Sequence, residues 1–131
     1  MLKNKQKNRI IYLISPEKID LNFYKNLKNV FSSSKVKYFQ LRLKKIPEDK
    51  ILKIAKKIKN ITKKYNIKLI INDSPKIAEI VKAEGCHIGQ SDSSFASAKK
   101  RLDKKIIGVT CHGSKKLINK AINDNVDYIA L

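Results

Sequence analysis

Tryptophan is absent from this sequence, methionine occurs once, and only two cysteines, two histidines, three prolines and four glycines are spread over 131 residues. So little glycine and proline excludes collagen-like and low-complexity classes. The two cysteines, Cys86 and Cys111, sit singly in apolar segments. They cannot form a multi-disulfide framework, and neither has a partner at metal-ligand spacing. Each is expected to be a buried thiol. No apolar run approaches the roughly 20 residues that span a bilayer. The start, Met1 to Arg9, is charged and runs into Ile10–Ile14, too short for a secretory core and without a small-residue cleavage site. A cytoplasmic location is the expectation. Gly-x-Gly-x-x-Gly, a phosphate-cradling glycine loop and a serine–histidine–acid order are all missing.

Acidic residues are scarce as well: 11 against 30 Lys and Arg, a net charge of +19. The imbalance is concentrated in residues 1–68, with 20 basic against 4 acidic side chains. Such a field attracts anions of any size. Most lysines, however, alternate with isoleucine and asparagine along presumptive helix faces, as a solvated surface would. A nucleic-acid-binding domain is the alternative class, and it needs lysines on one face with aromatics exposed among them. Tyr24, Phe31, Tyr38, Phe39, Tyr65 and Phe95 mostly fall on stripes expected to be buried, so neither a nucleic-acid nor a membrane partner is expected.

What is present is an alternation of two periods. Ile10–Ile14 is a short β-branched run closed by Ser15-Pro16. Asp20 reads as the N-cap of a helix with Tyr24, Leu27, Val30 and Phe31 on one stripe. Residues 36–42 return to strand character. Pro47 opens a helix striped by Ile51, Ile54, Ala55, Ile58, Ile61 and Tyr65. Leu69–Ile71 is a strand, Ser74-Pro75 starts a helix with Ile77, Ile80 and Val81 inward, and Cys86–Ile88 is a very short strand. Phe95, Ala98 and Leu102 mark a helix, 106–109 a strand, Leu117, Ile118, Ala121 and Ile122 a helix, and 128–131 a sixth strand.

Strands with little internal alternation, separated by helices, imply parallel strands covered on both faces. Two architectures satisfy this, a closed barrel and a doubly wound open sheet. Polar residues end nearly every strand: Gln40, Arg42 and Lys44; Asn72 and Asp73; His87, Gln90 and Asp92; Thr110 and His112. A barrel builds its site from many such loops, whereas an open sheet concentrates its site at one crossover. The expected fold class is therefore α/β, a partial TIM (β/α)8 barrel of about six parallel strands with intervening helices.

These side chains suggest a chemistry. Gln40 and Arg42, two apart on a strand, share a face that Lys44 continues, and together they offer a fork and a point charge to phosphate. A solvated basic turn is the plainer reading of the same residues. Asp73 either caps the following helix or joins Asp92 in holding Mg²⁺, an ion that takes few protein ligands and completes its shell with phosphate oxygens. His87 reads as a packed structural histidine, and His112 as a phosphate contact or a loop residue.

The segments Gln40-Leu41-Arg42-Leu43-Lys44, Ile71-Asn72-Asp73, Gly85 to Asp92 and Ile107 to His112 resemble, in order and spacing, those of the thiamine phosphate synthase family. That resemblance implies a transferase of thiamine biosynthesis that joins hydroxymethylpyrimidine diphosphate to thiazole phosphate and releases pyrophosphate. It implies catalytic and substrate-binding roles for Gln40, Arg42, Lys44, Asn72 and Thr110, a substrate contact for His112, and Mg²⁺ held by Asp73 and Asp92. Leu43, Lys45 and Ser74 replace the glutamate, glycine and arginine usual in the family. The related thiazole tautomerases share the barrel but generally lack the Asn-Asp pair and the later aspartate, so Asn72, Asp73 and Asp92 favour the synthase. The family's later loop and strands seven and eight would lie beyond Leu131. Residues 1–131 are thus expected to form an incomplete barrel domain, inactive on its own, that self-associates through an open edge.

Overall fold

A computed structural model describes residues 9–33, 35–91 and 93–131. The chain alternates strand and helix throughout. Strands β1 (Ile11–Ile14), β2 (Val36–Leu41), β3 (Lys68–Asn72), β4 (Gly85–Ile88), β5 (Ile106–Thr110) and β6 (Tyr128–Ala130) are linked by α1 (Leu21–Ser33), α2 (Glu48–Lys64), α3 (Pro75–Ile80), α4 (Phe95–Arg101) and α5 (Lys115–Asn123). The six strands pair in chain order, every pair parallel. The sheet curls far enough for the hydroxyls of Tyr12 on β1 and Tyr128 on β6 to meet at 2.5 Å. The architecture is the expected partial barrel.

Register sorts the strand residues into two faces, because paired residues point the same way and alternate along each strand. Phe39, Leu69, Ile71, Cys86, Ile88, Ile107 and Val109 turn outward and are buried beneath the helices. They pack with Leu27, Phe31, Ala55, Ile58, Ile77, Ala98, Leu102 and Ala121 into one core. The opposite face lines the inside of the curl. One of its rows runs Ile14, Gln40, Ile70, Gly85 and Ile106, and the next runs Asn72, His87, Gly108 and Tyr128. A Cβ on Gly85 would press on Ile70 and Ile106, so the row closes only around a glycine.

The helix starts follow their caps. Asp20 accepts from the Phe23 amide at 2.8 Å, and Ser74, Ser94 and Ser114 accept from Ile77, Ser97 and Leu117 at 3.1–3.3 Å. At the N-terminal ends of the strands, carboxylates take amides the ladders leave over. Glu84 accepts from Leu69 at 2.7 Å and pairs with Lys59, and Asp127 accepts from Ile107 at 2.8 Å. Three expected inward residues face solvent instead: Val30, Ile80 and Ile122 are 39%, 46% and 61% exposed. Each neighbours a buried residue of its own stripe, and one step along a helix rotates a side chain by about 100°. That step carries it off the sheet. Phe31 and Phe39 are buried as expected, whereas Tyr24, Tyr38, Tyr65 and Phe95 are only half-buried. Lys57 lies over the Tyr24 ring, 3.9 Å from its centre. Among the described residues no helix is long and apolar enough to cross a membrane.

Candidate active site

A cavity of about 700 Å³ opens where the strands end, and Gln40, Arg42, Lys44, Asn72, Asp73, Thr110 and His112 all line it. His87 and Gln90 line it too, so four strand ends and the loops that follow them converge on one space. Asp92, expected as the second metal carboxylate, lies outside the described residues.

Arg42 stands just past β2, and its backbone is gripped by Ser15, a residue that no sequence pattern singles out. The Arg42 amide donates to Ser15 Oγ at 2.9 Å, and the Ser15 amide donates to the Gln40 carbonyl at 2.9 Å. Ser15 is buried, so it ties the ends of β1 and β2 together and fixes where the guanidinium leaves the sheet. The guanidinium lies 3.5 Å from Glu17, a half-exposed and weak ion pair.

Lys44 and Asp73 form an ion pair at 2.6 Å. Asp73 adopts a left-handed backbone (φ 66°) at the turn out of β3, and its amide donates to the His87 carbonyl at 2.8 Å. That turn aims the carboxylate at the cavity, leaving Ser74 to cap α3. Of the two sequence readings of Asp73, the capping one is therefore wrong, because the serine takes that place. Asn72 Nδ2 is buried with no hydrogen-bond partner among the described residues. A buried donor left unpaired costs about 1–3 kcal/mol, and an anionic oxygen in the cavity would relieve it. His112, exposed and also left-handed (φ 49°), stands at the rim ahead of Gly113 (φ 66°) and α5.

Beneath the mouth a line of hydrogen bonds crosses the inside of the curl. Gln40 Nε2 donates to Tyr12 Oη at 2.9 Å, and Tyr12 Oη meets Tyr128 Oη. Tyr128 Oη lies 2.9 Å from His87 Nδ1, and His87 Nε2 lies 2.8 Å from Thr110 Oγ1. The Gln90 amide reaches the Thr110 carbonyl at 2.5 Å. Burial disfavours the charged imidazolium and lowers the His87 pKa; the Asp73 charge opposes this and Arg42 adds to it. Burial likewise raises the pKa of the Tyr12 and Tyr128 phenols. All three groups are thus neutral near pH 7. Tyr12 and Tyr128 escaped the sequence reading because short apolar runs do not reveal which side chains point inward.

Six parallel strands in chain order, curled and alternating with helices, define a protein of the (β/α)-barrel class, with the cavity at the C-terminal ends of its strands. Within that class the chain belongs to the thiamine monophosphate synthase family, whose profile matches residues 11–131. It is 52% identical over 131 residues to a thiamine-phosphate synthase of Pelagibacter ubique, covering 99% of this chain and 63% of that protein. A thiamine-phosphate synthase of Clostridioides difficile is 36% identical over 124 residues, covering 92% and 58%. Among solved structures, thiamine phosphate pyrophosphorylase from Pyrococcus furiosus superposes with a TM-score of 0.81 at 22% identity, covering 92% and 58%, a likeness of fold. The chain thus spans about three-fifths of the length of these relatives.

Proposed function

We propose that the chain contributes the diphosphate-binding part of a thiamine phosphate synthase, joining hydroxymethylpyrimidine diphosphate to thiazole phosphate. The observation that carries this is the convergence of Arg42, Lys44, the unpaired Asn72 amide, Asp73 and Thr110 on one cavity. Phosphate oxygens are met there by a planar fork, a compact cation, an amide donor and a hydroxyl. Gln40, already tied to Tyr12, orients the pyrimidine side of the cavity. The substrate's carbon–oxygen bond to diphosphate breaks, the electron pair leaves with pyrophosphate, and the thiazole nitrogen then bonds to the pyrimidine methylene carbon. No proton has to be removed by a base, so the residues supply placement and charge compensation.

Mg²⁺ fits the donors present. Asp73 offers one carboxylate towards the cavity, Asp92 would be the second, and Mg²⁺ needs only one or two when phosphates complete its shell. No cluster of three or more His, Cys, Asp or Glu side chains occurs among the described residues, so substrate oxygens and water would supply the rest. Bound there, Mg²⁺ would neutralise diphosphate oxygens and ease the departure of pyrophosphate. Until then Lys44 and Asp73 compensate each other.

The test is a chimera in which this chain replaces the matching segment of the Pelagibacter ubique relative. It should make thiamine phosphate in a magnesium-dependent reaction. Arg42→Ala should lower kcat/KM by about 10²-fold, the scale of losing one transition-state donor. Undiminished turnover by Arg42→Ala would refute the reading.

A further inference from the structure

The line of hydrogen bonds inside the curl has a direction that follows from its first donor. An amide nitrogen only donates, so Gln40 Nε2 gives a hydrogen to Tyr12 Oη. A phenol oxygen that already accepts is polarised to donate its own hydrogen onward. Tyr12 then donates to Tyr128 at 2.5 Å, and Tyr128 donates to His87 Nδ1 at 2.9 Å. A neutral imidazole that accepts at Nδ1 carries its proton at Nε2, 2.8 Å from Thr110 Oγ1. Thr110 Oγ1 thus accepts from below, and its own hydrogen is left for an acceptor in the cavity it lines.

We infer that His87 and Tyr128 are positioning residues that hold the Thr110 hydroxyl as a hydrogen-bond donor to an anionic substrate oxygen at the mouth. His87 reaches the substrate only through Thr110. The opposite direction, in which Thr110 donates inward, His87 carries its proton at Nδ1 and Tyr12 accepts twice, would turn that hydroxyl into an acceptor. It would then repel the anion. Two further features hold the line rigid. His87 is only 6% exposed, and Gly108, its partner in the next strand, leaves the space that the Tyr128 ring fills. The direction of the line starts from the placement of the Gln40 amide nitrogen against Tyr12; only its last link, to an anion, rests on the proposed function.

Imidazole ¹⁵N spectroscopy of the full 131-residue chain tests the direction, because it distinguishes a protonated from an unprotonated ring nitrogen. The sequence has only two histidines, and His112→Asn assigns the signals. At pH 7.5, His87 should show a protonated Nε2 and a bare Nδ1. A protonated Nδ1 would overturn the inference. Tyr128→Phe keeps the ring and removes the hydroxyl, so this preference should weaken; an unchanged tautomer would show that Tyr128 does not set it. The last link is read by calorimetry with magnesium pyrophosphate. Affinity should fall about 3–10-fold in Tyr128→Phe and in Thr110→Val, and be retained in Thr110→Ser, the scale of one hydrogen bond. Equal affinity in all three variants would overturn the last link. Absence of pyrophosphate binding in the unmodified chain would instead overturn the proposed function, with the tautomer result standing.

Discussion

At Gly108 the reason for a single residue type lies 20 positions away. A Cβ there would overlap the Tyr128 ring, which sits against both Tyr12 and His87. Gly108→Ala should therefore displace the ring and destabilise the chain by about 1–3 kcal/mol, the usual cost of overpacking, seen as a lower urea midpoint. His87 carries a pH dependence of its own. Its folded pKa lies below the ordinary 6.5, so beneath pH 6.5 the unfolded chain binds the proton more readily than the folded one. Stability should rise with pH through that window and be lost as pH falls through it. Urea midpoints at pH 7.5 and 5.5, in metal-free buffer, should differ less in His87→Gln than in the unmodified chain; an equal difference would remove His87 from the account. A histidine between Cys86 and Ile88 already reads as packed and hydrogen-bonded. Its two partners were not legible, because they depend on register between strands far apart in sequence.

Among the elements, the helices were the most legible and their outward edges the least. Asp20 and Ser74 announce their caps, and Pro75 follows in a position where its missing donor costs nothing. Ser94 and Ser114 cap equally well without standing out among neighbouring serines, lysines and small residues. Val30, Ile80 and Ile122 satisfy a helical period yet stay exposed, since the period marks a stripe and not how wide a surface the sheet presents. The strand starts depend on Glu84 and Asp127, which look like ordinary surface acids in sequence. Glu84 serves both the Leu69 amide and Lys59. Glu84→Ala should cost about 1–3 kcal/mol by stranding that amide, and Asp127→Ala should act alike on Ile107. Chemical denaturation of both variants checks this, and a change within experimental error in each would show that water replaces the carboxylates without loss.

Over the whole molecule, polar residues at successive strand ends favour a barrel over an open sheet, and those among the described residues line one cavity. What could not be read was the inner layer of tyrosines and histidine beneath them. β1 and β6 are the sheet's edge strands, and Ile10, Ile11 and Ile14 are about half exposed. Exposed edges with apolar side chains invite pairing with another chain. These 131 residues alone should therefore form larger species as concentration rises, measured by light scattering; a monomer at every concentration would contradict this. If the strand ends form one magnesium–diphosphate site, as proposed, calorimetric titration of this chain with pyrophosphate will reveal it. Binding should require Mg²⁺, weaken with added salt as the basic field is screened, and fall at least about 10-fold in Arg42→Ala and in Asp73→Asn, equivalent to about 1.4 kcal/mol. Pyrophosphate binding that ignores Mg²⁺ and both substitutions would contradict it.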